Sequence, residues 1–424
     1  MAMSSVEQLK WLSDEQVRAI GSEVQLPVFV YSEEELRKQI ASVLAFPVNE
    51  GYGFVARYAM KSNPNRSVLR IMLEMGVEID AGSEYEVLRA IRTGFRPEQI
   101  QLTAQQMALT FDELLEKGVH FTACSLHQLE EFGKRSKGKK EIGLRFNPGL
   151  GSGGCTKTDV GGTQSAFGIW HEKMEDVKAL VAKYGLRVKT VHTHIGSGSD
   201  PEVWKQVASV TLALAAQFPE CDTVNLGGGY KVARMKDEMS TDLQKIGAPV
   251  KALFEAFYRD HGRKLKLEIE PGSFYMVNTG VLLSQVDDVI DTGKNGQKFL
   301  KLNTGMDSIT RPSLYGARHP IVIVSKESSS KETEITEYVV AGHCCESGDL
   351  FTQHPGGSIM PRPLRTAHIG DYAVIAGAGA YCASMSTKNY NSFPEVAEYL
   401  LLSDGTLRMI RKAQTLDQIL ENEL

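Results

Sequence analysis

The sequence predicts an α/β chain: a closed barrel of eight strand–helix units, followed by a second, all-β domain. Three observations carry this. Eight short β-branched or apolar runs recur between about residues 54 and 270, each followed by a turn and a helix-patterned stretch. Beyond about residue 277, strand-like runs succeed one another without intervening helices. The composition, 42% hydrophobic and 23% charged over 424 residues, supplies enough apolar side chain for more than one core, which speaks against disorder and for two or three domains.

In chain order, LPVFVYS (26–32) reads as a strand outside the eight units, expected to pair with the later β domain so that the chain crosses between domains twice. The eight runs are FVARYAM (54–60), VEIDAG (77–82), IQLTA (100–104), HFTACS (120–125), EIGLRF (141–146), TVHTHIG (190–196), TVNLGG (223–228) and LKLEIE (265–270). Stretches between them, such as SVLRIMLEMG, EYEVLRAIRTG and MEDVKALVAKYG, carry apolar residues three or four apart, and several end in the glycine expected past a helix C-terminus. Strands alternating with helices require a parallel sheet, and eight such units over about 240 residues fit a closed (β/α)8 barrel better than an open doubly wound sheet. The fifth unit is longer, and its Gly-rich insertion GLGSGGCTKTDVGGTQSAFG (149–168) is expected to lie over the barrel mouth. The runs GVLLSQVDDVI, KFLKLNTG, PIVIVSKES, EITEYVVAG, DYAVIAGAG and AEYLLLSDGTLRMI then make up the β domain. The expected division is a barrel over 33–276 and a β-rich domain built from 1–32 with 277–424.

Charge and targeting signals narrow the function classes. Lys and Arg number 47 against 52 Asp and Glu, a net −5, so no basic excess is present to neutralise nucleic-acid phosphates. The longest apolar run, Val207 to Ala216, is broken by Ser209 and Thr211 and is roughly half a bilayer span. The first residues are acidic where a signal peptide is basic and then apolar. Six cysteines (Cys124, Cys155, Cys221, Cys344, Cys345 and Cys382) show no CxxC spacing, which fits a reducing compartment better than a disulfide framework or structural zinc. The expected setting is the cytoplasm, with a small-molecule substrate and neither membrane nor nucleic-acid partner.

Barrels of this kind place their chemistry at the C-terminal strand ends. Those ends carry Lys61 (first strand), His194 (sixth), Gly227, Gly228 and Gly229 (seventh) and Glu270 (eighth), with Asp80 ending the second. A lysine closing an apolar strand is awkward as packing, whereas a desolvated amine with a lowered pKa is a good Schiff-base nucleophile; its bland reading is a snorkelling side chain. A glycine triplet lets main-chain N–H groups approach an anion, and barrels often hold phosphate after strands seven and eight, although alone it is only a tight turn. A carboxylate at Glu270 suits acid–base work, a metal ligand or the partner of a pyridinium nitrogen. His192 and His194 alternate along one strand and could instead ligate a metal in a hydrolase on the same barrel, a reading that leaves Lys61 and the glycines without a role. Amine, phosphate cradle, imidazole and carboxylate converging on one mouth are what pyridoxal phosphate requires, with no metal.

The motifs YAMKSNPN, VHTHIGSG, VNLGGGY, EIEPG, RPSLYGARHP, CCESGDLF and GAGAYCASMSTKNYN, in this order from about residue 26 to the C-terminus, resemble the alanine-racemase-fold pyridoxal-phosphate decarboxylases, and within them the diaminopimelate decarboxylase family. The resemblance implies that Lys61 holds the cofactor covalently, that His194 stacks on its ring, and that Ser197 with Gly227 to Gly229 binds its phosphate. It further implies that Glu270 pairs with the ring nitrogen and that Asp80 and Tyr381 belong to the cofactor set. By the same resemblance the β-rich domain contributes to a homodimer interface and to shared active sites, the partner chain supplying Cys345, the candidate proton donor, and Glu346. The bland reading of a cysteine, a small buried hydrophobe, suits Cys124 and Cys221.

Substrate choice follows from the far end of the site. Diaminopimelate carries both an ammonium and a carboxylate there. Arg311 and Tyr315 can read the carboxylate, Glu346 the ammonium, and Tyr381 is placed with them, which favours meso-diaminopimelate going to L-lysine and CO2. Two departures stand out. The family's E-P-G-R ends in Ser273 here, removing an arginine expected near the phosphate or the distal carboxylate, unless Arg311 or Arg318 compensates. The family's Ser-Lys-(Phe/His)-Gly reads SAFG, with Ala166 for lysine, a change expected to touch the interface more than the chemistry. Ser273 keeps open a decarboxylase of the same fold acting on another amino acid or on a siderophore- or antibiotic-pathway substrate. A racemase is disfavoured by CESGD, and a non-catalytic binding protein by the presence of both Lys61 and Cys345.

Overall fold

The computed structural model describes residues 6–151, 161–194, 196–327 and 334–424. Its chain contacts divide into two units. One is Gln39–Lys231 with Met239–Tyr275; the other is Met1–Lys38, Val232–Glu238 and Met276–Leu424. The short segment Val232–Glu238, which the sequence division leaves inside the barrel, thus packs with the β-rich unit, as do residues 33–38.

The first unit is a closed parallel barrel. Its strands are Phe54–Ala59, Glu78–Ala81, Ile100–Leu102, His120–Ala123, Glu141–Asn147, Arg187–Thr193, Thr223–Asn225 and Lys266–Ile269. Each pairs in parallel with the next, and the eighth closes on the first through the register Ile269↔Ala56. The strands are short apolar runs because both faces are covered, one by the barrel interior and one by helices. Helices start where a short polar side chain takes up an otherwise unpaired N–H: Asn65, Ser83, Ser125 and Asp242 do this. The extra length of the fifth unit carries a two-residue strand, Ile169–Trp170, beside the fifth barrel strand. Residues 152–160 of the expected mouth loop lie outside the described residues.

The N-terminal end of the barrel is tied by charge. Arg57 donates to both carboxylate oxygens of Glu268, from Nε at 3.0 Å and Nη2 at 3.1 Å, and Lys266 lies 2.9 Å from the same group. Burial pushes the Glu268 pKa up, but the two cations outweigh it and bring it to about 2, so the pair is ionised across the physiological range.

The second unit is a nine-stranded mixed sheet. Its central strand, Gly280–Asp291, runs antiparallel to Val28–Ser32, Lys298–Leu302 and Tyr372–Ile375. Val28–Ser32 is in turn parallel to Ala397–Leu401. Val28, Val30, Val281, Leu283, Val322, Val374 and Ala397 form one buried cluster on this sheet, joined by Val17 and Ile20 of the helix Asp14–Glu23. The strand-only texture expected beyond residue 277 is interrupted by one-turn helices at Arg311–Tyr315 and Leu416–Leu420.

Candidate active site

Lys61 lies in a single 3-10 turn, Met60–Ser62, directly after the first barrel strand. The turn is pinned from below: Tyr58 Oη donates to the Asn63 carbonyl and Ser62 Oγ to that of Ala59, both at 2.9 Å. Lys61 is exposed rather than held in an apolar mouth, and its charge acts on the carboxyls of Asp80 and Glu86. Asp80 stands in register with Ala59 on the neighbouring strand. Burial raises its pKa, with Lys61 and Arg145 opposing, and its Oδ1 is buried with no hydrogen-bond partner among the described residues.

Glu270 follows the eighth strand at 4% exposure. Its Oε1 accepts from Asn225 Nδ2 at 2.6 Å and Gln101 Nε2 at 2.8 Å, and its Oε2 faces His192 Nε2 at 3.4 Å. Burial, together with the charge of Asp80, pushes its pKa up to about 8 despite Asn225 and Arg145. The His192 contact is not an ion pair. Burial and Arg145 drive that imidazole neutral, and neither ring nitrogen has a hydrogen bond among the described residues. A buried carboxyl so placed holds its proton until a cation or a charged N–H faces it.

His194 lies just past the sixth strand and is also driven neutral, by burial and by Arg145 and Lys61. Its Nδ1 accepts from the Gly196 N–H at 3.4 Å, leaving Nε2 to carry the ring proton. The glycine triplet packs against it. Gly229 has φ +100°, and a Cβ there would overlap the Gly196 carbonyl, while one on Gly228 would come within 2.6 Å of the Glu270 carbonyl oxygen. Gly198 N–H donates to Gly229 O at 2.9 Å, so the loop carrying Ser197 and the glycine turn are joined main chain to main chain.

Sequence reasoning missed three polar side chains here. Gln101 and Asn225 hold Glu270, and Arg145, 6% exposed with Nε unpartnered among the described residues, acts on Asp80, His192, His194 and Glu270 together. Their signal was available: each is a polar residue inside an otherwise apolar strand (IQL, TVN, GLRF). A cavity of about 620 Å³ opens around Arg57, Lys140 and Glu268, and of this set Gln101 alone lines it.

The remaining sequence-predicted residues belong to the β unit. Arg311 opens the one-turn helix and lies over the ring of Tyr315, 5.6 Å from its centroid. Cys345 and Glu346 are exposed, and the Cys345 N–H donates to Asn391 Oδ1 at 2.8 Å. Glu346 accepts from the Gly348 N–H at 3.1 Å and Tyr390 Oη at 3.5 Å. Tyr381 is half-buried with φ +55°, a left-handed conformation costly for a tyrosine. Cys124 and Cys221 are buried, and burial pushes each thiol up to about 11, as suits small hydrophobes. Arg318, one of two candidates to replace the missing arginine, is instead paired with Asp237 at 2.9 Å and Glu238 at 3.6 Å.

The barrel set fits pyridoxal phosphate: an amine on one strand end, a proton-holding carboxyl on the neighbouring one, a neutral imidazole and a turn with no room for a side chain. Residues 37–277 match the family model described as the pyridoxal-binding domain of pyridoxal-dependent decarboxylases. The chain belongs to this family. It is 35% identical over 420 residues to the diaminopimelate decarboxylase of Escherichia coli (strain K12), covering 97% of each chain. It is 33% identical to that of Streptomyces coelicolor, covering 97% of this chain and 92% of the relative. A crystal structure of a diaminopimelate decarboxylase superposes with a TM-score of 0.90 at 34% identity, covering 97% of both chains. This decarboxylase is therefore a pyridoxal-phosphate-dependent carboxy-lyase. Among its described residues, no helix is long and apolar enough to cross a membrane.

Proposed function

We propose that this decarboxylase converts meso-2,6-diaminopimelate to L-lysine and CO2. The observation carrying the chemistry is Glu270, buried and held by Asn225 and Gln101 on the strand adjacent to that of Lys61. The substrate assignment draws on relatives of that activity, matched over nearly the full length.

Pyridoxal phosphate, when bound, supplies the electron sink for the bond to the departing carboxylate. Lys61 is the amine that holds it and later releases product. The glycine turn Gly227 to Gly229, with Ser197, holds its phosphate, the Gly227 N–H itself donating to Asn225 Oδ1 at 2.8 Å. The carboxylate of Glu270 holds the ring-nitrogen proton in place, with Asn225 and Gln101 fixing the carboxylate's orientation. His194, uncharged, presents a flat face without competing for that proton, and Asp80 and Tyr381 complete the cofactor set. Cys345 delivers a proton to the α-carbon once CO2 has left, with Lys61 the alternative donor. Arg311, Tyr315 and Tyr381 read the distal carboxylate and Glu346 the distal ammonium. The exposure of Cys345 and Glu346 supports a homodimer in which each chain lends them to its partner's site. Among the described residues Cys124, Cys221, Cys344, Cys345 and Cys382 form no disulfide, which supports a cytoplasmic setting.

Incubation of the holoenzyme with meso-diaminopimelate, lysine, ornithine and arginine, following CO2, tests the substrate. CO2 and equimolar L-lysine are expected from diaminopimelate alone. Ser273 supports a second reading, a related amino-acid substrate, and turnover of another acid without lysine formation from diaminopimelate would select it.

A further inference from the structure

Val232–Glu238 follows the glycine turn in sequence yet packs within the β unit, and it carries a guanidinium for which the mechanism above has no use. Arg234 Nε donates to the Gly377 carbonyl at 3.2 Å, and its stem lies against Gly377, which orients the side chain. Among the described residues no carboxylate pairs with it. The nearest candidate, Glu238, spends its Oε2 on the main-chain N–H groups of Arg234 at 2.8 Å and Met235 at 3.4 Å, while its Oε1 faces Arg318. Arg234 is only half-buried by exposed surface but is densely surrounded, as a side chain lining a recess is. Burial and the neighbouring Arg311 pull its pKa down to about 9, still on the charged side of neutral.

Arg311 is in the same condition. Its Nε is buried without a partner, and among the described residues it makes no salt bridge. Beside the two lies His319, its Nδ1 bonded to the Ala376 carbonyl at 3.0 Å and its Nε2 buried and unpartnered; burial, Arg234 and Arg311 hold this ring neutral. One guanidinium held against Gly377 and a second whose Nε is buried and unused, with no carboxylate paired to either among the described residues, form an unfavourable arrangement unless an anion joins them. A carboxylate is the planar, bidentate partner such forks recognise.

We propose that Arg234, together with Arg311, holds the carboxylate at the far end of the substrate. The inference rests on the reading of the substrate as an α-amino acid with a second carboxylate. Arg318 does not share this role, because Asp237 and Glu238 already neutralise it.

The test compares Arg234→Met, Arg234→Lys and Arg318→Met holoenzymes with the unaltered one. Three quantities are read: kcat and KM for meso-diaminopimelate, inhibition by pimelate (a dicarboxylate without amines), and cofactor affinity by absorbance titration. Loss of one charge-assisted pair predicts that Arg234→Met raises KM and the pimelate inhibition constant about 10- to 100-fold, with a smaller effect on kcat. Arg234→Lys recovers part of both, Arg318→Met leaves both within about twofold, and cofactor affinity is unchanged. An Arg234→Met enzyme with both constants within twofold of the unaltered enzyme overturns the proposal. So does one whose defect lies in cofactor affinity, since the guanidinium would then serve the phosphate. If the unaltered enzyme does not turn over diaminopimelate, the substrate reading fails, while pimelate binding that depends on Arg234 still sustains the carboxylate site and pimelate binding indifferent to it refutes that site.

Discussion

Replacing Lys61 with alanine is expected to abolish the visible absorbance of the purified holoenzyme and to lower turnover by on the order of 10⁴-fold or more. The size follows from the covalent role of this amine: among the described residues no other lysine follows a barrel strand beside Asp80. The fold should tolerate the change. Lys61 is exposed and its turn is held by Tyr58 and Ser62 from below, so the apoprotein's stability should move by less than about 0.5 kcal/mol. Lys61→Arg separates charge from nucleophilicity, because a guanidinium keeps the positive charge near Asp80 but does not give up its proton at neutral pH. It should be as inactive as the alanine variant. A spectrum and a steady-state assay on both variants check this, and substantial turnover by either would remove Lys61 from the chemistry.

Glu270→Gln has the second largest effect, and it acts in opposite directions on activity and on stability. Loss of the anion that holds the ring-nitrogen proton should lower kcat by about 10²- to 10⁴-fold. The apoprotein, by contrast, should become more stable. In the folded chain the Glu270 pKa rises to about 8, above the ordinary carboxyl value of 4.5, so between these values the folded state keeps a proton that the unfolded chain has lost. The contribution is therefore fully present below about pH 4.5 and is lost progressively as pH rises towards 8, reaching about 3 kcal/mol at pH 7. A glutamine has no such slope, and its amide can donate to the unpartnered Nε2 of His192 while its oxygen still accepts from Asn225 and Gln101. Thermal unfolding of the two apoproteins should give similar midpoints near pH 4.5 and an increasing advantage for the variant up to pH 8. A gap that stays constant with pH would show that Glu270 is not held protonated. The Glu268 carboxyl behaves oppositely: pulled down to about 2 by Arg57 and Lys266, it stabilises the fold above pH 4.5 and is common to both proteins.

Much of this site was legible in the sequence because a closed parallel barrel is unusually regular. Its strands are buried on both faces and read as short apolar runs, and barrels carry their chemistry on the residues ending them, so Lys61, His194, the glycine triplet and Glu270 could be named as candidates from pattern alone. What escaped were residues whose importance depends on curvature. Gln101, Arg145 and Asn225 sit on the third, fifth and seventh strands, and only barrel closure aims them at Asp80 and Glu270. The exposure of Lys61 was not foreseen because the strand is apolar, whereas Lys61 itself lies in the 3-10 turn that follows it. Arg234 was hidden in another way. It lies five residues beyond Gly229 in a stretch with helix-neutral composition, and its anchor, Gly377, is 143 residues away.

The central claim is that Lys61 is the residue joined to pyridoxal phosphate. Reduction of the holoenzyme with borohydride, followed by proteolysis and peptide mass mapping, tests it most directly. A phosphopyridoxyl mass on the peptide containing Lys61, and on no other, is the result predicted here. The same mass on a different lysine, or an active enzyme that acquires none, would contradict the account.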